Sequence, residues 1–162
     1  MGYEKERNPY PRFANDSNRG GRDNRTDSNK REQGTSVKQI FAEWKFNSGW
    51  IVNEADKDLV TFAEKAGKYM ADNKLTNSKI RNVYGEIKRI QMGTFEKEKS
   101  LFYLLRPKVA YAFGRERNNK GLEMFKLVFD TAFDSVSDGK TYQNFCNLIE
   151  AILAYHKANG GN

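Results

Sequence analysis

Basic side chains set at helical spacing carry this chain's clearest chemical signal, and the chemistry they suit is contact with phosphate. Arg81 and Lys88 stand seven residues apart in the segment 76–91, TNSKIRNVYGEIKRIQ. On an α-helix they share one flank, ~10 Å apart along the axis, so the pair can meet successive phosphates of one strand. Arg89 lies further round. Lys79 and Glu86 fall on the opposite border of the apolar face, where they can neutralise each other. Gly85 costs this helix about 1 kcal/mol relative to alanine, and its missing side chain lets a backbone approach closely. An ordinary solvated face with a tolerated glycine would look the same.

The segment 106–120 is the second basic element. Lys108, Tyr111 and Arg115 recur at i, i+3, i+7, which sets two cations and an aromatic in one column, with Arg106, Arg117 and Lys120 at the segment's ends. A single-stranded RNA groove uses such a set, charge for the backbone and a ring or guanidinium plane for a base. The other reading of Tyr111 buries its ring and leaves the hydroxyl at the surface.

Reactive groups are few. His156 is the one histidine, so neither a His-based metal cluster nor a His pair can form. Cys146, the one cysteine, precedes it by ten residues on the same predicted helix. That is nearly ~15 Å along the axis, too far for a nucleophile and its base within one chain. Cys146 falls among core spacings and reads as a small buried apolar residue. His156 reads as an exposed or partly packed residue at a helix C-terminus, where a cation suits the dipole. The carboxylates are interspersed with basic residues, as in ion pairs. Glu150 stands out in an otherwise apolar final helix, paired either with an arginine across the bundle or with another subunit. The sequence therefore points to no catalytic residue, no metal and no cofactor.

The whole chain agrees with a basic binding protein. Its 162 residues fit one domain with a tail, and 28 Lys and Arg against 21 Asp and Glu give a formal charge of +7. Such an excess favours nucleic acid or an acidic partner surface. Aromatic residues make up 13%, enough to build a core from Phe and Tyr. No stretch approaches the ~20 apolar residues of a membrane span. Charges stand where a signal peptide would have its apolar region. A lone cysteine forms no intramolecular disulfide and suits a reducing cytoplasm.

The elements that must position the cations follow from periodicity. Residues 1–36 are polar and rich in Gly, Asn and Ser, too poor in apolar surface to offset their ordering entropy, and read as a disordered basic tail. Its NRGGR piece fits a solubilising tail or an auxiliary RNA contact. Over 37–53, Ile40, Phe41, Trp44, Phe46, Trp50, Ile51 and Val52 are too many large apolar groups for a free linker; they cover the core or dock on a partner. From residue 54 onward lies the helical domain. Helices are predicted over 54–72, over 76–91 behind Thr76 as N-cap, and through Leu101, Leu104 and Leu105. Pro107 then kinks that helix or starts a new one over 107–117, which buries Val109, Ala110, Ala112 and Phe113. Asn118 to Gly121 reads as a turn, followed by helices over 122–136 and 141–158. The expected fold is all-α, a compact antiparallel bundle of about five helices.

Three blocks in order, KLTNSKIRNVYGEIKRI (74–90), LLRPKVAYAFGRE (104–116) and FCNLIEAILAYHKANGG (145–161), resemble the small helical subunit of type III-A CRISPR effector complexes, the Csm interference machines. The similarity covers roughly residues 54–162. It implies a helical bundle that stacks as a minor filament beside the crRNA-bound backbone subunits and lines the channel where target RNA pairs with the guide. It also implies that cleavage belongs to the backbone and large subunits. By motif, the resemblance carries RNA contact to Lys79 and Arg81 in the first block and to Arg106, Lys108 and Arg115 in the second. Lys88 and Arg89 come from the helical wheel alone. Tyr155 and Lys157 look like packing or subunit contacts.

The expected function is thus a non-catalytic, RNA-binding structural subunit acting in antiviral defence, with crRNA, target RNA, the backbone and large subunits and further copies of itself as partners. A guide–target duplex carries the sequence information, so such a protein needs charge and shape without base-edge readout. The alternative is a helical protein–protein adaptor with little RNA contact. A hydrolase is disfavoured by the lack of a convergent nucleophile, base or metal set. A free homodimer also remains open, because helical bundles can exchange helices between chains.

Overall fold

Apolar side chains returning every third and fourth residue commit most of this chain to helix. The structure, a computed structural model, describes residues 34–162. Among these, seven helices and no strand form: α1 (Val37–Glu43), α2 (Gly49–Val52), α3 (Lys57–Asp72), α4 (Asn77–Met92), α5 (Phe95–Arg115), α6 (Lys120–Phe133) and α7 (Gly139–Ala158). About five were expected. The two additional helices lie in 37–53, where closely set aromatics hide the helical period and a local cap starts the first helix. There Ser36 Oγ accepts from the Gln39 amide and the Gln39 side chain accepts from the Ser36 amide. The disordered tail expected over 1–36, with its NRGGR piece, lies outside the described residues as far as 33.

Two boundaries move for physical reasons. α5 runs unbroken through Pro107. The missing N–H deprives the Tyr103 carbonyl of its partner at a position where the side chain is half exposed and water is at hand. Lys120 and Gly121, expected in a turn, open α6 behind Asn119, whose Oδ1 accepts from the Leu122 amide. Gly121 fits because a Cβ there would sit 2.8 Å from the Met70 carbonyl oxygen.

One core joins the helices. Phe102, Phe125, Phe129 and Phe145 are fully buried, and Phe102 stacks on Phe133 with ring centroids 4.2 Å apart. Segment 37–53 covers this core: Trp50 and Ile51 are buried, and Phe41, Trp44 and Phe46 meet Phe62 edge-on. α3 and α7 approach closely at Gly67, where a Cβ would come within 2.6 Å of the His156 nitrogen and the Ile152 oxygen of the backbone.

His156 departs from its expected exposed or partly packed place. It is fully buried, with Nε2 2.7 Å from the Leu75 carbonyl oxygen. The reason lies beyond the helix. Gly160 takes a left-handed φ of +84° and turns the chain back, so that Gly161 lies against the imidazole and donates to the His156 carbonyl at 2.9 Å. Asn162 O then accepts from the Asn77 amide at 2.5 Å. Thr76 holds the N-cap position of α4 without a side-chain cap bond, so that oxygen serves the first turn instead. Cys146 is fully buried, and burial pushes its thiol up to about 11. Glu150 pairs across the helices with Lys88 at 2.9 Å, a lysine where an arginine or a subunit was expected.

Candidate nucleic-acid interface

α4 turns Ile80, Val83, Ile87 and Ile90 inward, which leaves Arg81 and Gly85 facing out. α5 turns in Phe102, Leu105 and Val109 and presents Leu104, Pro107, Lys108, Tyr111 and Arg115 at intervals of three and four along its outer side. Between the two helices lies an open groove of about 1030 Å³. Its floor is apolar through Val83, Leu122 and the half-exposed Leu104; its sides are charged. Around the Gly85 position nothing lies within 4 Å of where a Cβ would be.

Five of the ten candidate residues line this groove: Lys79, Arg81, Lys108, Tyr111 and Arg115. Tyr111 is 68% exposed, not buried, and the Arg115 guanidinium stands 5.9 Å from its ring centroid. Lys79 and Glu86 do not neutralise each other, since seven residues of helix hold them ~10 Å apart. Lys79 reaches Glu116 beyond the end of α5, and Glu86 receives Lys108 at 3.5 Å and Arg89 at 3.7 Å. Arg81 and Arg115 make no ion pair among the described residues. The lining therefore holds four cations against two carboxylates.

The other five stand apart from the groove. Lys88 leans from its shared flank toward α7, where it donates to Glu150 at 2.9 Å and to Gln91 at 2.7 Å. The Glu150 hydrogen bond holds its pKa above the ordinary lysine value. Arg89 rests on Glu86. Arg106 forks onto Asp134 at 2.7 and 3.3 Å, also meets Asp130, and lies over the Phe133 ring, which ties α5 to α6. Its pKa is raised, first by the Asp134 hydrogen bond. Arg117 lines a separate depression, and Lys120 is exposed on the first turn of α6.

The model of the Csm2 Type III-A family matches residues 53–162. This chain belongs to that family. It is thereby a small subunit of the type III-A CRISPR (Csm) kind. No curated protein and no solved structure is matched. The two helices that frame the groove lie inside the matched residues of this Csm2 family member, and α1 and α2 lie before them.

Sequence reasoning missed Leu104, Pro107, Ser78 and Asn82 as groove residues. Leu104 precedes Lys108 by four residues and Tyr111 by seven, so it shares their column; its type had assigned it to the core. Ala110, expected to be buried, is exposed, and Phe113 is only half-buried. Among the described residues no three His, Cys, Asp or Glu side chains gather as a metal site. No helix there is long and apolar enough to cross a membrane.

Proposed function

We propose that the α4–α5 groove holds the sugar–phosphate backbone of a single RNA strand without reading its bases, as the work of a non-catalytic subunit in a type III-A CRISPR ribonucleoprotein. The observation that carries this reading is the convergence of Arg81, Lys108, Tyr111 and Arg115, from two helices, on one open groove. Free guanidiniums there can exchange water for phosphate, and the exposed Tyr111 face accepts any base. The ion pairs of Lys79 and Lys108 are surface pairs, which RNA phosphates can displace at little cost. In the assembled particle the strand is target RNA beside its crRNA guide. Backbone subunits, the large subunit and further copies of the chain pack around it, in a reducing cytoplasm.

The test is charge reversal at Arg81, Lys108 and Arg115 together. Single-stranded RNA affinity is expected to fall more than tenfold, with a shallower salt dependence of about 0.7 per lost phosphate contact, while helicity by circular dichroism is kept. Parent-like binding by the triple variant overturns the groove. A second reading, a protein–protein adaptor, draws on the apolar floor around the half-exposed Leu104. It predicts feeble RNA binding by the parent chain at every ionic strength.

A further inference from the structure

The α3–α4 turn contains a lysine where the backbone favours glycine. After α3 the Lys74 amide donates to Ala71 O at 3.2 Å and the Leu75 amide to Met70 O at 3.0 Å, the paired bonds that close a helix C-terminus. That closure sets Lys74 at φ +64°, in the left-handed region that side chains disfavour. The Lys74 side chain is exposed, and no ion pair holds it among the described residues. Its conformation therefore has no local compensation from a carboxylate. An unfavourable backbone state kept at a surface cation points to use of the cation.

The turn between α5 and α6 lies beside it. Asn119 Nδ2 donates to Lys74 O at 3.1 Å, while Asn119 Oδ1 caps α6, so one side chain ties the two turns together. They enclose a depression of about 370 Å³ lined by Lys74, Arg115, Glu116, Arg117, Asn73, Asn118 and Asn119. Arg115 and Glu116 line the large groove as well, so the two spaces adjoin. Glu116, the one carboxylate, is already held by Lys79. Arg117, like Lys74, has no ion pair among the described residues. No aromatic ring or aliphatic side chain lines the space, which suits a hydrated anion and not a base.

We propose that this depression is a second phosphate subsite, formed by Lys74 and Arg117, which holds the RNA backbone where it leaves the groove. The proposal rests on the groove reading and lengthens its footprint past the end of α5. Lys74 supplies charge at a point where glycine would fold better.

The experiment uses the full chain with Lys74→Gly and with Lys74→Gly/Arg117→Gln, read by thermal melting and by anisotropy of a labelled single-stranded RNA over ~50–200 mM salt. Lys74→Gly is expected to melt at a higher temperature than the parent and yet bind RNA several-fold more weakly. In the double variant the salt slope is expected to become shallower by about 1.4, two contacts at about 0.7 each. Parent-like affinity and slope in the double variant, with binding lost in the groove triple variant, overturn the subsite and leave the groove standing. Failure of the parent itself to bind RNA removes both. Inorganic triphosphate provides the remaining arm. If it raises the parent's melting temperature but not the double variant's, while their RNA slopes stay equal, the depression is a small-anion site and the backbone subsite is wrong.

Discussion

Two glycines separate two ways of packing a helix pair. At Gly67 the backbones of α3 and α7 come so close that a Cβ would sit 2.6 Å from backbone atoms of Ile152 and His156. At Gly85, on α4, a Cβ would meet nothing within 4 Å, and the neighbouring α5 stands off across a groove. The first seam buries Ala63, Ala66, Met70, Ile149 and Ile152; the second leaves Leu104 and Tyr111 half or more exposed. Small residues close a seam and bury whatever polar group lies there, His156 included. Long charged and aromatic residues on an uncovered face keep one open. One helix pair of this core is thus closed for stability, and the other is left open as the groove proposed for binding.

The largest effect should come from filling the closed seam. Gly67→Ala is expected to lower stability by about 3 kcal/mol or more, because the added methyl meets backbone, which cannot rotate aside. Urea unfolding followed by circular dichroism reads it. A loss under about 1 kcal/mol would mean that α3 and α7 slide apart easily, and the contrast between the seams would disappear.

Alkali tests the same closed region. Burial pushes the Cys146 thiol from its ordinary 9.0 up to about 11, and burial also raises the Tyr142 phenol. A folded-state pKa above the unfolded one gives stability that is present below the unfolded value and lost as pH rises, because the unfolded thiol ionises first. Stability should therefore fall between pH 9.0 and about 11, and the thiol's share should reach about 2 kcal/mol at the upper end. In Cys146→Ala that decline should be smaller by the same amount, with Tyr142 still contributing. An identical decline in both proteins would show that the thiol is not desolvated.

The closed side was legible where core periodicity ran through it. The helix predicted over 54–72 forms as α3, with Leu59, Phe62, Ala63, Ala66 and Met70 buried along one face, and Cys146, read as core from its spacing, is buried too. His156 was not legible. Its burial depends on the left-handed turn at Gly160, which acts after the helix has ended and leaves no mark in helical spacing. On the open side, the Lys108–Tyr111–Arg115 column could be read because all three lie on one helix. Of the Arg81–Lys88 stripe only Arg81 lines the groove, because a wheel shows direction and not distance to an acid. Glu150, sixty-two positions away in sequence, draws Lys88 aside. Arg106 is drawn aside in the same way, by Asp134 at the end of α6.

The open side has its own charge balance to test. Glu86 holds Lys108 and Arg89, so Glu86→Gln should release both toward the groove. Single-stranded RNA affinity is then expected to rise roughly threefold to tenfold, with a steeper salt dependence, at nearly unchanged stability. A fall in affinity would mean that Glu86 positions Lys108 for its contact, and the groove would depend on the acid as much as on the cations.

The smallest effect should separate the two glycines most sharply. Gly85→Ala adds a methyl where there is free space and removes a residue that weakens a helix interior, so α4 should gain about 0.5–1 kcal/mol. The opposite sign at Gly67 would make the pair a direct measure of closed against open. Binding gives the second readout. If RNA backbone passes over Gly85, the methyl should lower affinity by a few-fold even as the protein becomes harder to unfold, and no loss of charge could account for it. If affinity is unchanged, the strand lies toward α5, on Lys108, Tyr111 and Arg115, and the glycine is there only because nothing packs against it.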